Sequence, residues 1–289
     1  MKYFTKTIGV ILTFFCLLGL TSCKDKERSQ QVNSNSTSEI VSTLVETSAT
    51  EFEYDVQNGG IRIKKFIGSS KDVIIPKEIN QLPVTKIGAL SFMGTTIEKV
   101  VIPDTVTSIS TKAFHLCNNL KSVEFGSGIT EIQNDAFRRC TSLEKAILPE
   151  NLQRLGSYAF AECTVLKEVF IPKTLTDWCS YEFFADYALT SLTFEDGIET
   201  IGDYGAFQAC LSLKEITIPE SVTYLGPATF TRCDSLQKVT FLGDAPAYIG
   251  EYVFGPPEEH KITPEVYYDK NTSGWDQTYL TNYNTLHSK

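Results

Sequence analysis

The chain is poor in the residues that build catalytic centres: three histidines, two tryptophans and two methionines in 289 residues. His115, His260 and His287 leave few ways to pair a nucleophile with a base. HExxH, GxSxG, GxGxxG and a phosphate-cradling GxxxxGK[ST] loop are all missing from the sequence. Carboxylates are plentiful but fall at positions that read as solvent-facing, so the expectation is a protein that is not an enzyme and carries no cofactor or metal. Cations are outnumbered, 26 Lys+Arg against 35 Asp+Glu, for a formal charge of −9. That balance excludes nucleic acid as the main partner, because a phosphate polymer needs a cationic patch to release its counterions. Eight cysteines in 289 residues are too sparse for a disulfide-stapled scaffold. A run long enough to span a bilayer is also lacking: Ile8 to Leu20 is 13 residues, against the ~20 required. What remains, 42% apolar, is enough to fill a core.

The short apolar run follows Lys2 and Lys6 and precedes Leu20-Thr21-Ser22-Cys23. Residues 1–22 read as a secretory signal, and the four residues ending in Cys23 resemble the lipobox of bacterial lipoproteins. That resemblance implies cleavage before Cys23 and acylation of its thiol, with several acyl chains giving a firm membrane anchor. Removal of the signal takes away two lysines and no acid, moving the formal charge from −9 to −11. Lys24-Asp25-Lys26-Glu27 is similar to the acidic export signals that send lipoproteins to the outer surface of Gram-negative cells. The expected location is therefore the cell envelope, with the body facing outward from the outer membrane. Residues 23–50 are polar and free of aromatics, a flexible tether with a reach of roughly 28 Å.

From there a repeat dominates. Phe92, Phe114, Phe137, Phe160, Phe183, Phe207, Phe230 and Phe254 follow one another at gaps of 22, 23, 23, 23, 24, 23 and 24 residues. Two units read Ile102-Pro103, Val106, Ile109, Ala113-Phe114, Cys117, Leu120, Val123 and Leu148-Pro149, Leu152, Leu155, Ala159-Phe160, Cys163, Leu166, Val169. A period this short means stacked coils, since one coil cannot offset the entropy of ordering its own backbone. The alternating end of each unit reads as a strand. The Ala-Phe-x-x-Cys segment has room for about one helical turn. Cys117, Cys140, Cys163, Cys210 and Cys233 each follow a repeat phenylalanine by three residues and are expected as a ladder of free, buried thiols.

These units resemble the BspA-like, or Treponema-type, bacterial leucine-rich repeats. The resemblance implies an α/β solenoid, a right-handed coil of about seven 23-residue units with a parallel β-sheet over residues 72–254. Residues 51–71, with Asn58-Gly59-Gly60 between alternating strands, are expected as an N-terminal hairpin cap, and residues 255–289 as a C-terminal cap. The unit around Phe183 departs from the pattern: Trp178 replaces an isoleucine, Cys179 a glycine, Glu182 an alanine and Asp186 a cysteine. The next unit carries an extra residue near Tyr204-Gly205.

Family members act as adhesins or partner-binding surface proteins, some recognising host matrix proteins, so the resemblance implies an interaction protein. The alternative is a lipoprotein capturing glycan or peptide for nutrient uptake. Two candidate binding features stand out. Ile147 and Phe170 are apolar in a sheet-face column that otherwise runs Val101, Glu124, Thr193, Thr217, Thr240, and small apolar patches mark interfaces. Tyr158 and Tyr181 share one repeat position, with Tyr204 displaced by the extra residue and Trp178 nearby, an arrangement suited to stacking on sugars or filling interface pockets.

Overall fold

The computed structural model describes residues 45–255, 264–277, 280 and 286–288. The signal segment, Cys23, most of the tether, His260, and Pro256 to Glu259 lie outside them. The described chain is a parallel β-solenoid of about nine turns, where the spacing led to an expectation of about seven. Each regular turn contributes a two-residue strand before the repeat phenylalanine and a three- or four-residue strand after it. The short strands stack as Ser108–Ile109, Glu131–Ile132, Arg154–Leu155 and Asp177–Trp178, then separately as Thr200–Ile201, Tyr224–Leu225 and Tyr248–Ile249. The longer strands form three groups: Asp72–Ile74 to Ser122–Glu124, Lys145–Ile147 to Ser191–Phe194, and Glu215–Ile218 onward.

Phe52–Gln57 and Gly60–Phe66 pair antiparallel across Asn58 and Gly59, whose φ values of 50° and 78° are those of the turn favoured by right-twisted hairpins. Gly60–Phe66 in turn pairs parallel with Leu82–Ile87, which joins the hairpin to the short-strand column. At the other end, Glu265–Tyr268 pairs with Lys238–Phe241 and with Leu286–Ser288. Trp275 is buried there against Phe241 and Tyr268, at ring separations of 4.9 and 4.8 Å.

The α component is not found. Among the described residues there is no α-helix, and the helical pieces are short 3₁₀ turns such as Ala49–Glu51 and Trp275–Gln277. The Ala-Phe-x-x-Cys segment is instead a turn with two left-handed residues, two positions either side of the phenylalanine. Lys112 and Leu116 flank Phe114 at φ 59° and 62°, and Tyr158 and Glu162 flank Phe160 at 57° and 62°. The reason is where the amides must point. In a helix every N–H would bond within its own coil. Here Lys112, Phe114 and Leu116 donate to carbonyls of the next coil, while Ala113, His115 and Cys117 donate back within the turn. The phenylalanine N–H bond to the following coil recurs from Phe92 to Phe230 at 2.7 to 2.9 Å, forming a third bonded column beside the two strand columns.

Side chains follow the same stacking. The eight phenylalanines form one ladder, with neighbouring ring centroids from 4.7 Å (Phe92 and Phe114) to 6.2 Å (Phe230 and Phe254). The five ladder cysteines are buried and free. Each thiol donates to the phenylalanine carbonyl of a preceding coil, as Cys117 does to Phe92 at 3.0 Å and Cys140 to Phe114 at 3.2 Å. A single hydrophobic core runs from Phe52 to Leu280.

Candidate interaction surface

The sheet-face columns assemble as their spacing leads one to expect. Lys145 lies beside Glu168 and Ile147 beside Phe170, and the rows continue to Ser191 and Thr193. Ile147 is 42% exposed and Phe170 half-buried, so the two β-formers make one apolar spot. Its borders are polar: Lys145 and Glu168 pair at 2.6 Å, and Thr193 continues the row.

The tyrosines also come together, with Tyr158 and Tyr181 stacked face to face. Tyr158 and Tyr181 stack on one another at 5.2 Å and 14°, the Arg138 guanidinium sits 5.0 Å over Tyr158, and Tyr204 meets Tyr181 edge-on at 5.5 Å. Phe184, which the spacing did not single out, lies edge-on to both Tyr158 and Tyr181. Because the extra residue moves Tyr204 one place early, Gly205 takes the left-handed position at φ 62°. A Cβ at Gly205 would stand 2.7 Å from the Tyr181 ring. Stacking a sugar needs an open ring face; Tyr158 and Tyr181 give faces to each other and Tyr158 to Arg138, while Tyr204 stays exposed. Trp178 is withdrawn from the surface altogether: it is buried, its indole N–H donates to the Thr200 carbonyl at 3.0 Å, and its ring meets Phe207 edge-on. A further pair, Tyr224 and Tyr248, stacks at 4.8 Å in the short-strand column, with Tyr248 exposed. Their 24-residue separation, equal to that of Phe230 and Phe254, was the available sign.

The irregular unit holds two carboxyls inside the core. Glu182 and Asp186 are fully buried. Glu182 Oε1 accepts from the Cys179 N–H at 2.6 Å and Asp186 Oδ1 from the Cys163 N–H at 2.8 Å, while the second oxygen of each has no hydrogen-bond partner. Burial pushes Glu182 up to about 8 and drives Asp186 up as well, since a charge there has lost its water.

This unit also divides both strand columns. Among the described residues, no strand pairing joins Asp177–Trp178 to Thr200–Ile201, or Ser191–Phe194 to Glu215–Ile218. The backbone links that persist between these coils are on the turn side: Tyr181 to Tyr204, Phe183 to Ala206 and Ala185 to Gln208, with an isolated bridge at Ser180 and Tyr204. Trp178 stands at an isoleucine position and Phe194 is edge-on to Phe207 at 6.1 Å where the columns part. Phe125 stands edge-on to Phe137 in the same way where Ser122–Glu124 and Lys145–Ile147 part. Between Ser191–Phe194 and Glu215–Ile218 a cavity of about 560 Å³ opens. Among the described residues, no group of histidine, cysteine, aspartate or glutamate side chains could hold a metal ion.

Comparison with known proteins agrees with this architecture. The sequence matches the BspA type Leucine rich repeat region in 6 copies, over residues 85–205 and 179–264. Among solved structures it is similar to a T. pallidum leucine-rich repeat protein, at 31% identity and TM-score 0.62, covering 66% of this chain and 91% of that one. A leucine-rich cell surface protein from Faecalibacterium prausnitzii is 26% identical at TM-score 0.53, with 68% and 54% covered. A leucine-rich repeat protein from Bacteroides ovatus, 22% identical, shares the fold at TM-score 0.55 over 78% and 71%. No curated protein matches the sequence.

Proposed function

The chain belongs to the BspA-type leucine-rich repeat family, and on that footing we propose that it is a non-enzymatic cell-surface interaction protein, adhesin-like, that binds a protein partner on the sheet face around Ile147 and Phe170. An acylated Cys23 holds it to the envelope and the polar segment after it carries the body outward from the outer membrane. The one observation that carries the choice of ligand is the contrast between the two candidate features. Tyr158 and Tyr181 spend their ring faces on each other and on Arg138, whereas Ile147 and Phe170 lie side by side in a polar sheet. Buried apolar anchors ringed by polar residues are the usual energetic centre of a protein interface. The F. prausnitzii relative is described as a cell surface protein, which supports the outward orientation.

The test is binding of the mature chain to immobilised matrix proteins and to a glycan array. Phe170→Ser should lower protein binding by about tenfold or more, while the Tyr158→Ala/Tyr181→Ala double variant leaves it unchanged. Glycan binding lost only in the tyrosine variant would replace this reading with nutrient capture. Protease shaving of intact cells checks the orientation, because a body facing the periplasm is not cleaved.

A further inference from the structure

Where the N-terminal hairpin meets the first coils, a cavity of about 380 Å³ lies on the outer face of the short strands. Arg62, Lys86 and Ser108 line it as register neighbours in three successive parallel strands. Ile61 pairs with Val84 but Arg62 with Lys86, so Thr85 is an extra residue in its strand. Bulges of this kind re-aim side chains beside binding sites, and Thr85 lines the cavity together with Thr107. Gln57 and Asn58, at the hairpin turn, complete the lining. Every one of these side chains is polar, and no carboxylate lines the cavity among the described residues, in a chain whose formal charge is −9.

What these groups have left to offer is specific. Lys86 is half-buried, and its ammonium makes no hydrogen bond or ion pair among the described residues. Arg62 gives Nε and Nη2 to Asp55 at 3.0 and 2.5 Å, and Gln57 Oε1, in the amide orientation that satisfies it, accepts from Nη1 and Nη2 at 3.2 Å. A guanidinium has five N–H donors, so one on Nη1 stays free. The Ser108 hydroxyl is also unbonded among the described residues, and the next residue of its row, Glu131, is engaged by Gln133 and Arg154. Thr85 and Thr107 donate their hydroxyl hydrogens to the Ile61 and Thr85 carbonyls at 3.5 and 3.2 Å, which leaves their oxygens as acceptors. Cationic donors therefore stand beside hydroxyl acceptors.

We propose that this cavity binds an acidic sugar unit of a glycan, its oxyanion on Lys86, Arg62 and Ser108 and its hydroxyls on Thr85 and Thr107. An oxyanion between an ammonium and a guanidinium takes charge-assisted hydrogen bonds, and a ligand that also donates O–H groups matches the threonine oxygens. A peptide carboxylate meets the charge but finds no apolar pocket here for the anchors that carry most of a peptide's affinity. The volume lies at the small end of ordinary ligand sites. The site is separate from the Ile147 and Phe170 patch, and either can fail without the other.

The test is retention of four polymers by the immobilised full mature chain at about 0.15 M salt: polygalacturonate, dextran sulfate, neutral dextran and poly-L-glutamate. An acidic chain repels polyanions in general, so retention of one reports a local site. At least one of the first two polymers should bind about tenfold or more tightly than dextran and polyglutamate, and which one binds tells whether the oxyanion is a carboxylate or a sulfate. Lys86→Gln breaks no contact of the free protein, so it should leave the thermal midpoint within about a degree or two of wild type and weaken binding about tenfold. Lys86→Arg, which keeps the charge, should retain most of the binding. Phe170→Ser and the Tyr158→Ala/Tyr181→Ala variant should bind the polysaccharide as wild type does, which separates this site from the other two surfaces. The proposal is overturned if neither acidic polysaccharide outbinds dextran, if polyglutamate binds as tightly as they do, if Lys86→Gln binds as well as wild type, or if binding is lost in the tyrosine variant alone.

Discussion

The Cys163 N–H donates to Asp186 Oδ1 of the next coil at 2.8 Å, whereas at Cys117, Cys140, Cys210 and Cys233 the same N–H turns back to its own phenylalanine carbonyl. Asp186 stands where other coils put a thiol, and its second oxygen is buried without a partner. An unsatisfied buried oxygen costs about 1–3 kcal/mol. Asp186→Cys restores the ladder thiol and removes that oxygen, so urea unfolding should show a gain of that order.

The buried carboxyls set a pH dependence of definite sign. Glu182, raised by burial to about 8 from an ordinary value of 4.5, and Asp186, raised by the same cause, hold protons when folded that the unfolded chain has released. Stability is therefore full below the ordinary carboxylate range and declines as pH rises toward 8, by at most about 1.4 kcal/mol per pH unit for each carboxyl. Glu98 acts in the opposite sense: hydrogen bonds from Lys121 and Lys71 lower it to about 2, so its contribution fades as pH falls through that value. Urea midpoints of the wild type should drop between pH 5 and pH 8, and the Glu182→Gln/Asp186→Asn variant should flatten that drop while leaving the acid limb intact. A variant with an unaltered slope above pH 5 contradicts the assignment.

The ladder thiols should be silent toward a water-soluble thiol reagent in the native state. Burial raises Cys117, Cys163 and Cys210 above the usual thiol range, and the reactive species is the thiolate. Titration of a chain lacking the segment through Cys23 should detect slow reaction at the half-buried Cys179 alone, then all six thiols after denaturation. Fewer than six after denaturation would reveal a disulfide.

Left-handed backbone at non-glycine residues carries a cost of about 1–2 kcal/mol. Lys112, at φ 59°, makes no hydrogen bond or ion pair through its side chain among the described contacts. Lys112→Gly should therefore stabilise the fold by about 0.5–1 kcal/mol, after the loss of unfolded-state restriction. Tyr158→Gly, at the same repeat position, should give no such gain, because it forfeits the stack on Tyr181 and the Arg138 contact. Thermal melts of the two variants compare them directly.

Much of this architecture was readable from spacing alone. Phenylalanines about 23 residues apart can only be a stack, and the register of Lys145 with Glu168 and Ile147 with Phe170 follows from the same count. The thiol ladder was legible for the same reason. The turn conformation was not, since Lys112, Arg139, Tyr158 and Glu162 carry none of the glycine signal that marks positive φ, and only the direction of amides toward the next coil explains it. For the tyrosines, the sequence placed Tyr158 near Tyr181 but could not say whether their faces would be open or spent on each other. Around Phe183 the odd residues Trp178, Glu182 and Asp186 marked where the pattern fails; which backbone bonds would be missing there is a matter of three-dimensional packing.

Between Phe183 and Phe207 the solenoid is stitched along one edge and slit along the other, and that asymmetry has a mechanical meaning. Flexing that widens the slit strains side-chain bridges, the Ser221 hydroxyl between the Gly197 N–H and the Ile198 carbonyl and the Trp178 indole on the Thr200 carbonyl, rather than a strand ladder, whereas torsion must shear two rings stacked at 5.2 Å. A pulling load is expected to be taken up first at this junction, where no strand ladder joins the coils, before any paired coil has to unwind.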